Sequence, residues 1–192
     1  ASVFALSYLV DHSLLRMDGT GRFNIQELLL KFAQERLSAL PAQGEEVLDR
    51  HYEYYCRLLY DREDRVYETM QSEILVEMDN IRATWRRATQ KRDPTAIRHG
   101  IIYLSWIILL QAWFEEGENL FQMAEDALTH LPYTDDIRFL LGTALMFKSA
   151  CQRDIPDKAE IMRQNMEAGL KHWEGLPPRA DMLLPLWHAS YV

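Results

Sequence analysis

Apolar residues fall at helical spacing over most of this chain, with one short interruption near its start. Val3, Leu6, Leu9 and Val10 predict a helix ending near Asp11. Ser13 to Met17 then reads as a short strand, Asp18-Gly19-Thr20-Gly21 as a tight turn, and Arg22 to Ile25 as a second strand. Asp18-Gly19 supplies the positive φ angles that a tight hairpin turn requires. Asn24 is placed as the N-cap of the next helix, with Glu27 three residues on completing a capping box. Over Gln26 to Leu37 the apolar face carries Leu28, Leu29, Phe32, Ala33 and Leu37, with Ile25 just before it. Pro41 and Gly44 read as a linker, and a second module is expected to start near Glu45.

Beyond that linker every periodic segment is helical. Val47, Leu48, Tyr55, Leu58 and Leu59 predict a helix ending in Asp61-Arg62-Glu63-Asp64, and Ile74, Met78, Ile81, Trp85 and Ala88 a second. Arg92-Asp93-Pro94 closes that helix and opens another, with proline at the tolerated first turn. Glu116-Gly117-Glu118 is read as the next punctuation, followed by helices through Leu120 to Leu131, Ile137 to Cys151 and Pro156 to Trp173. Gly175, Pro177 and Pro178 break the chain, and Met182 to Trp187, carrying Pro185, is expected to be short or kinked. The helix pairs look repetitive: Pro94 to Asp135 spans 41 residues (135 − 94) and Gly117 to Pro156 spans 39 (156 − 117). A period near 40 with two helices per unit marks an α-solenoid, longer than the ~34 residues of the standard tetratricopeptide unit. A plain helical bundle is the competing architecture.

Composition narrows the class. The chain has 192 residues, 48% hydrophobic, with only eight Gly and seven Pro, which suits long helices around a sizeable core. A net charge of −8 argues against a general nucleic-acid or anionic-membrane binder. Gly100 to Phe114 is strongly apolar, but it falls short of the ~18–20 residues a membrane crossing needs and reads as a buried helix. Cys56 and Cys151 are isolated, which favours reduced thiols and a cytoplasmic setting, and no signal peptide is expected.

Candidate chemistry is sparse. No phosphate-binding GxxxxGK[ST], GxGxxG, HExxH or GxSxG motif occurs. His12, His51, His99, His130, His172 and His188 are scattered without metal-ligand spacing, so no metal site and no catalytic residue are predicted. Asp61, Glu63 and Asp64 alternate with Arg62 and Arg65, as a solvated loop does. Two features stand out. Arg82, Arg86, Arg87, Lys91, Arg92 and Arg98 form a basic cluster in an acidic chain, able to hold a phosphate, an acidic partner segment or nucleic acid. The plainer reading is a solvated face neutralised by neighbouring carboxylates. Tyr52, Tyr54, Tyr55, Tyr60, Trp85, Trp106, Trp113, Phe114 and Phe121 fill space between helices or line a groove.

Three segments then carry a resemblance. Leu9-Val10-Asp11-His12-Ser13-Leu14-Leu15, Gly21-Arg22-Phe23-Asn24-Ile25-Gln26-Glu27-Leu28-Leu29 and Phe32-Ala33-Gln34-Glu35-Arg36-Leu37 together resemble the end of the winged-helix domain of STAND signal-transduction ATPases, relatives of the NB-ARC proteins. His51-Tyr52 through Tyr55, Asp79-Asn80-Ile81-Arg82-Ala83 and Trp113-Phe114-Glu115-Glu116-Gly117 are similar to the tetratricopeptide-type sensor region that follows in such regulators. The resemblance implies a partial winged helix over residues 1–40 and a tetratricopeptide-like helical-repeat domain over 45–192. It implies a regulatory, often transcriptional, arm without enzymatic activity of its own, and a protein partner or small-molecule inducer on the repeats. ATP or ADP is implied only in an upstream domain, with no cofactor in this segment. A hinge is expected around Pro41 to Gly44. Ile25, Gln26 and Glu27 match the family's Met-His-Asp-like motif, so Gln26 takes the place of the phosphate-sensing His. A neutral amide donates a hydrogen bond but cannot become cationic. Arg16 and Arg22 are the wing's only basic residues, too few for direct DNA contact. The alternatives are a stand-alone helical-repeat scaffold and a nucleic-acid-binding module built on the basic cluster.

Overall fold

The computed structural model describes residues 3–19, 21–62, 74–153 and 155–189. Glu63, Asp64 and Arg65 lie outside them, as do the side chains of Trp187 and His188. The protein is mainly helical, with one small antiparallel sheet among the described residues. Its elements are α1 (Val3–Asp11), β1 (Leu15–Met17), β2 (Phe23–Ile25), α2 (Glu27–Ser38), α3 (Pro41–Tyr60), α4 (Met78–Lys91), α5 (Pro94–Gln111), α6 (Phe114–Leu128), α7 (Asp135–Gln152), α8 (Ala159–Trp173) and α9 (Leu183–Ala189). Single 3-10 turns cover Leu75–Glu77, Pro156–Lys158 and Ala180–Met182. The chain divides into two compact units, residues 1–50 and 51–192.

In the first unit, α1 closes at Ser13, a non-glycine residue in the left-handed region (φ 57°). The hairpin pairs Leu15 with Ile25, Arg16 with Asn24 and Met17 with Phe23. Side chains alternate along a strand, so Arg16 and Asn24 share one face while Leu15, Met17, Phe23 and Ile25 share the other. Asp18 organises the turn: its Oδ1 accepts from the Arg22 backbone N–H (3.1 Å) and its Oδ2 from Asn24 Nδ2 (3.2 Å). Asn24 itself is the middle residue of β2, two positions before the N-cap, so it does not cap the helix. The N-cap of α2 is instead Gln26, whose extended backbone (φ −66°, ψ 142°) precedes the helix without a side-chain cap bond. The expected linker is also absent. Pro41 is the first residue of a 20-residue helix, where its missing N–H costs nothing. Gly44 lies within that helix, against the Leu37 carbonyl. Among the described residues up to Arg50, Gly44 is buried and no apolar side chain is.

The second unit holds the core. Ile74, Met78, Ile81, Trp85 and Ala88 are all buried, as their spacing predicts. The apolar run of α5 is an interior helix, with Ile97, Ile101, Tyr103, Leu104, Ile107 and Ile108 sealed from solvent. No helix among the described residues is long and apolar enough to cross a membrane. Asp93 caps α5 by accepting from Thr95 N and Ala96 N, and Thr134 caps α7 by accepting from Ile137 N. The break between α5 and α6 falls at Ala112, which is left-handed (φ 54°), and not at Glu116-Gly117-Glu118. Gly117 is an interior residue of α6 because a Cβ there would meet Ile108 Cγ2 at 2.5 Å and Cys151 Sγ at 2.7 Å. Its role is close packing of three helices. Each helix packs on its successors: α4 on α5 and α6, α5 on α6 and α7, α6 on α7, and α7 on α8 and α9. Pro185 sits in the first turn of α9, where it is tolerated.

Candidate functional site

Gln26 opens onto a cavity of about 390 Å³ inside the first unit. The end of α1, the hairpin and the start of α2 form its walls, and Ser13, Leu14, Arg16 and Asn24 line it with Gln26. Strand alternation explains the grouping: Arg16 stands opposite Asn24, and Gln26 follows Asn24 by two. Arg16 makes no ion pair, and Gln26 no side-chain hydrogen bond, among the described residues. Asp18 is engaged within the turn and Glu27 with Lys31 (2.9 Å). The polar lining is a guanidinium (Arg16), two amides (Asn24 and Gln26) and a hydroxyl (Ser13). Arg16 was legible as a wing residue, but its partnership with Gln26 needs the hairpin register.

The basic cluster is dispersed. Arg82 forks onto Glu116, with Nε–Oε1 at 2.5 Å and Nη2–Oε2 at 2.9 Å, donates to Asp79 Oδ1 at 2.8 Å, and lies 5.0 Å over the Trp113 ring. These carboxylates hold its pKa above the ordinary range. Arg98 donates to Asp181 (3.2 Å), in the 3-10 turn before α9. Lys91 stands over the Tyr52 ring at 5.6 Å. Arg92 is the left-handed cap of α4 (φ 52°). Arg86 is exposed and Arg87 half-buried. Two of the six cations, Arg82 and Arg98, are thus tied to acids on other elements.

Other polar groups in the second unit form seams between helices. Glu118 accepts from Gln152 Nε2 (2.8 Å) and from Lys158 Nζ, and Lys148 donates to Glu125 (2.9 Å) and to Gln122. Burial alone would raise the pKa of Glu118, but the bonds from Lys158 and Gln152 outweigh it and the carboxyl sits below its usual value. Burial pushes the thiols up, Cys56 to about 11 and Cys151 to about 12, so neither is a poised nucleophile. Tyr52 donates to Asp93 Oδ2 (2.7 Å), and burial followed by this bond raises its pKa. Among the described residues, no group of three or more His, Cys, Asp or Glu could hold a metal ion.

No family model, curated protein or solved structure matches the chain.

Proposed function

We propose that this chain is the regulatory arm of a STAND-type ATPase: a hairpin–helix unit that docks on a nucleotide-binding core, followed by a tetratricopeptide-like solenoid that receives an inducer or protein partner. The observation that carries this reading is the first unit's lack of buried apolar side chains. Phe4 is 88% exposed, Leu28 79% and Phe32 55%. Patches of this kind mark surfaces that bind another protein surface. The helix contacts support the solenoid half. Packing of α4, α5 and α7 each on the next helix and on the next but one suits stacked helix pairs better than a plain bundle. Pro94 and Asp135, 41 residues apart (135 − 94), begin α5 and α7, two helices in equivalent places of such a stack. Signalling then requires that inducer prefer one of two arrangements of arm and core.

The test is hydrogen exchange on the product of the whole gene, compared with this chain alone. Amides of α1 and α2 should exchange more slowly in the longer protein, while those of α6 to α8 stay unchanged. Equal exchange in α1 and α2, in a protein that binds ATP, would sink the docking role.

A further inference from the structure

We propose that Tyr133 and His172 form a proton-operated latch: the neutral ring of His172 holds the α6–α7 loop against the end of α8, and protonation of that ring releases the loop. The latch goes beyond the regulatory-arm reading and does not depend on it. The Tyr133 hydroxyl lies 2.8 Å from His172 Nδ1, and the two rings meet edge to face with centroids 5.7 Å apart. The residues are 39 apart in sequence, so the contact joins separate elements. Its two sides differ in firmness. On the α8 side, Trp173 is buried and donates through Nε1 to the Phe139 carbonyl of α7 (2.9 Å), and Arg138 of α7 donates to the Glu174 carbonyl. On the loop side, Tyr133 is 62% exposed, and within residues 129–134 only Leu131 is not exposed. Leu131, Pro132 and Thr134 also form one wall of a cavity of about 370 Å³, whose other walls are the starts of α5 and α7. The loop is therefore the side that moves, and its release alters that cavity.

Proton chemistry sets the direction. A neutral imidazole with its proton on Nε2 accepts the Tyr133 hydroxyl proton at Nδ1. In the imidazolium both nitrogens are donors, so the hydroxyl can no longer donate, and a positive charge enters the cluster. The groups facing the ring are Arg138 of α7, Glu125 of α6 and Lys171 of α8 itself, with Tyr133 from the loop. Arg138 is held in place: it donates to Asp135 Oδ1 (3.0 Å) and to the Glu174 carbonyl, and lies 5.8 Å from the Tyr133 ring centroid. Glu125 favours a charged ring but already accepts from Lys148 (2.9 Å). Burial first, then Arg138, outweigh Glu125 and hold the His172 pKa below its ordinary value near 6.5. A histidine depressed in this way stabilises the closed latch fully above pH 6.5, and the contribution is lost as pH falls through the folded value.

The test is an NMR titration of this chain from about pH 7.5 to about pH 4.5. It reads the His172 and Tyr133 ring resonances and the exchange protection of the Leu131 amide, which donates to the Leu128 carbonyl where the loop begins. Both rings should report one midpoint below 6.5. Leu131 protection, corrected for intrinsic exchange, should fall about threefold or more through that midpoint. In Tyr133→Phe the His172 midpoint should rise, because the neutral ring loses its donor. Tyr133 is exposed, so this variant does not threaten folding. His130 shares the loop, with Nδ1 2.7 Å from the Asp126 carbonyl, so His172→Gln assigns the effect. That variant should abolish the pH dependence of Leu131 protection. A His172 midpoint at or above 6.5, or one unmoved in Tyr133→Phe, would overturn the latch. So would a Tyr133 ring that does not follow His172, or a pH dependence that survives in His172→Gln.

Discussion

Glu118 sits where burial and hydrogen bonding oppose each other, and the bonds win. Its folded pKa lies below the ordinary value near 4.5, so its contribution to stability is fully present above that pH. The contribution is lost as pH falls through the depressed folded value. Urea unfolding between about pH 6 and pH 3.5 should therefore show a shallower acid loss for Glu118→Gln than for the parent chain. Identical slopes would mean that the Lys158 and Gln152 bonds do not favour the charged carboxylate. Gly117 gives a second prediction at this scale. In Gly117→Ala the new methyl meets Ile108 and Cys151, and overpacking should cost about 1–3 kcal/mol by chemical denaturation. The sequence alone presented Gly117 as a helix break, because glycine signals a turn and a tight helix crossing in the same letter. The true break at Ala112 carries no residue signal: alanine is left-handed there, and its N–H closes α5 on the Ile108 carbonyl.

Elements were legible wherever a face had to be buried. Ile74 to Ala88 and the α5 run reach the core as their spacing demands, because periodicity records which side chains leave water. Boundaries set by side-chain competition were less legible. Asn24 is a good N-cap by type, yet strand pairing extends through Ile25, and the helix begins after Gln26. Pro41 was read as a linker although proline equally starts helices, and only the chain beyond it decides which. Trp85 is the element-scale tie in the second unit. Its indole N–H donates to the Leu120 carbonyl on α6 (2.9 Å), and Gly100 of α5 lies so close to the ring that a Cβ there would be 2.9 Å away. Trp85→Phe should cost about 1–3 kcal/mol, because it removes a buried hydrogen bond and leaves part of the indole's space unfilled. A thermal midpoint equal to the parent's would show that α4, α5 and α6 are held together by other contacts.

At the scale of the molecule, the contrast between the two units carries the account. The second unit has a continuous core from Tyr52 to Met182, and the first buries no apolar side chain among its described residues. The cavity beside Gln26 lies in the first unit, while two of the six cations that drew attention in the sequence, Arg82 and Arg98, are paired with acids of the second. Sequence could list those six cations but not their partners, since Glu116 and Asp181 are 34 and 83 residues from the arginines they hold. The central claim is that this chain serves a nucleotide-binding core, and reading the gene on both sides of this segment tests it most directly. The account predicts an ATPase core with a GxxxxGK[ST] loop encoded just before Ala1. A start codon directly upstream would contradict it and leave a stand-alone helical-repeat scaffold.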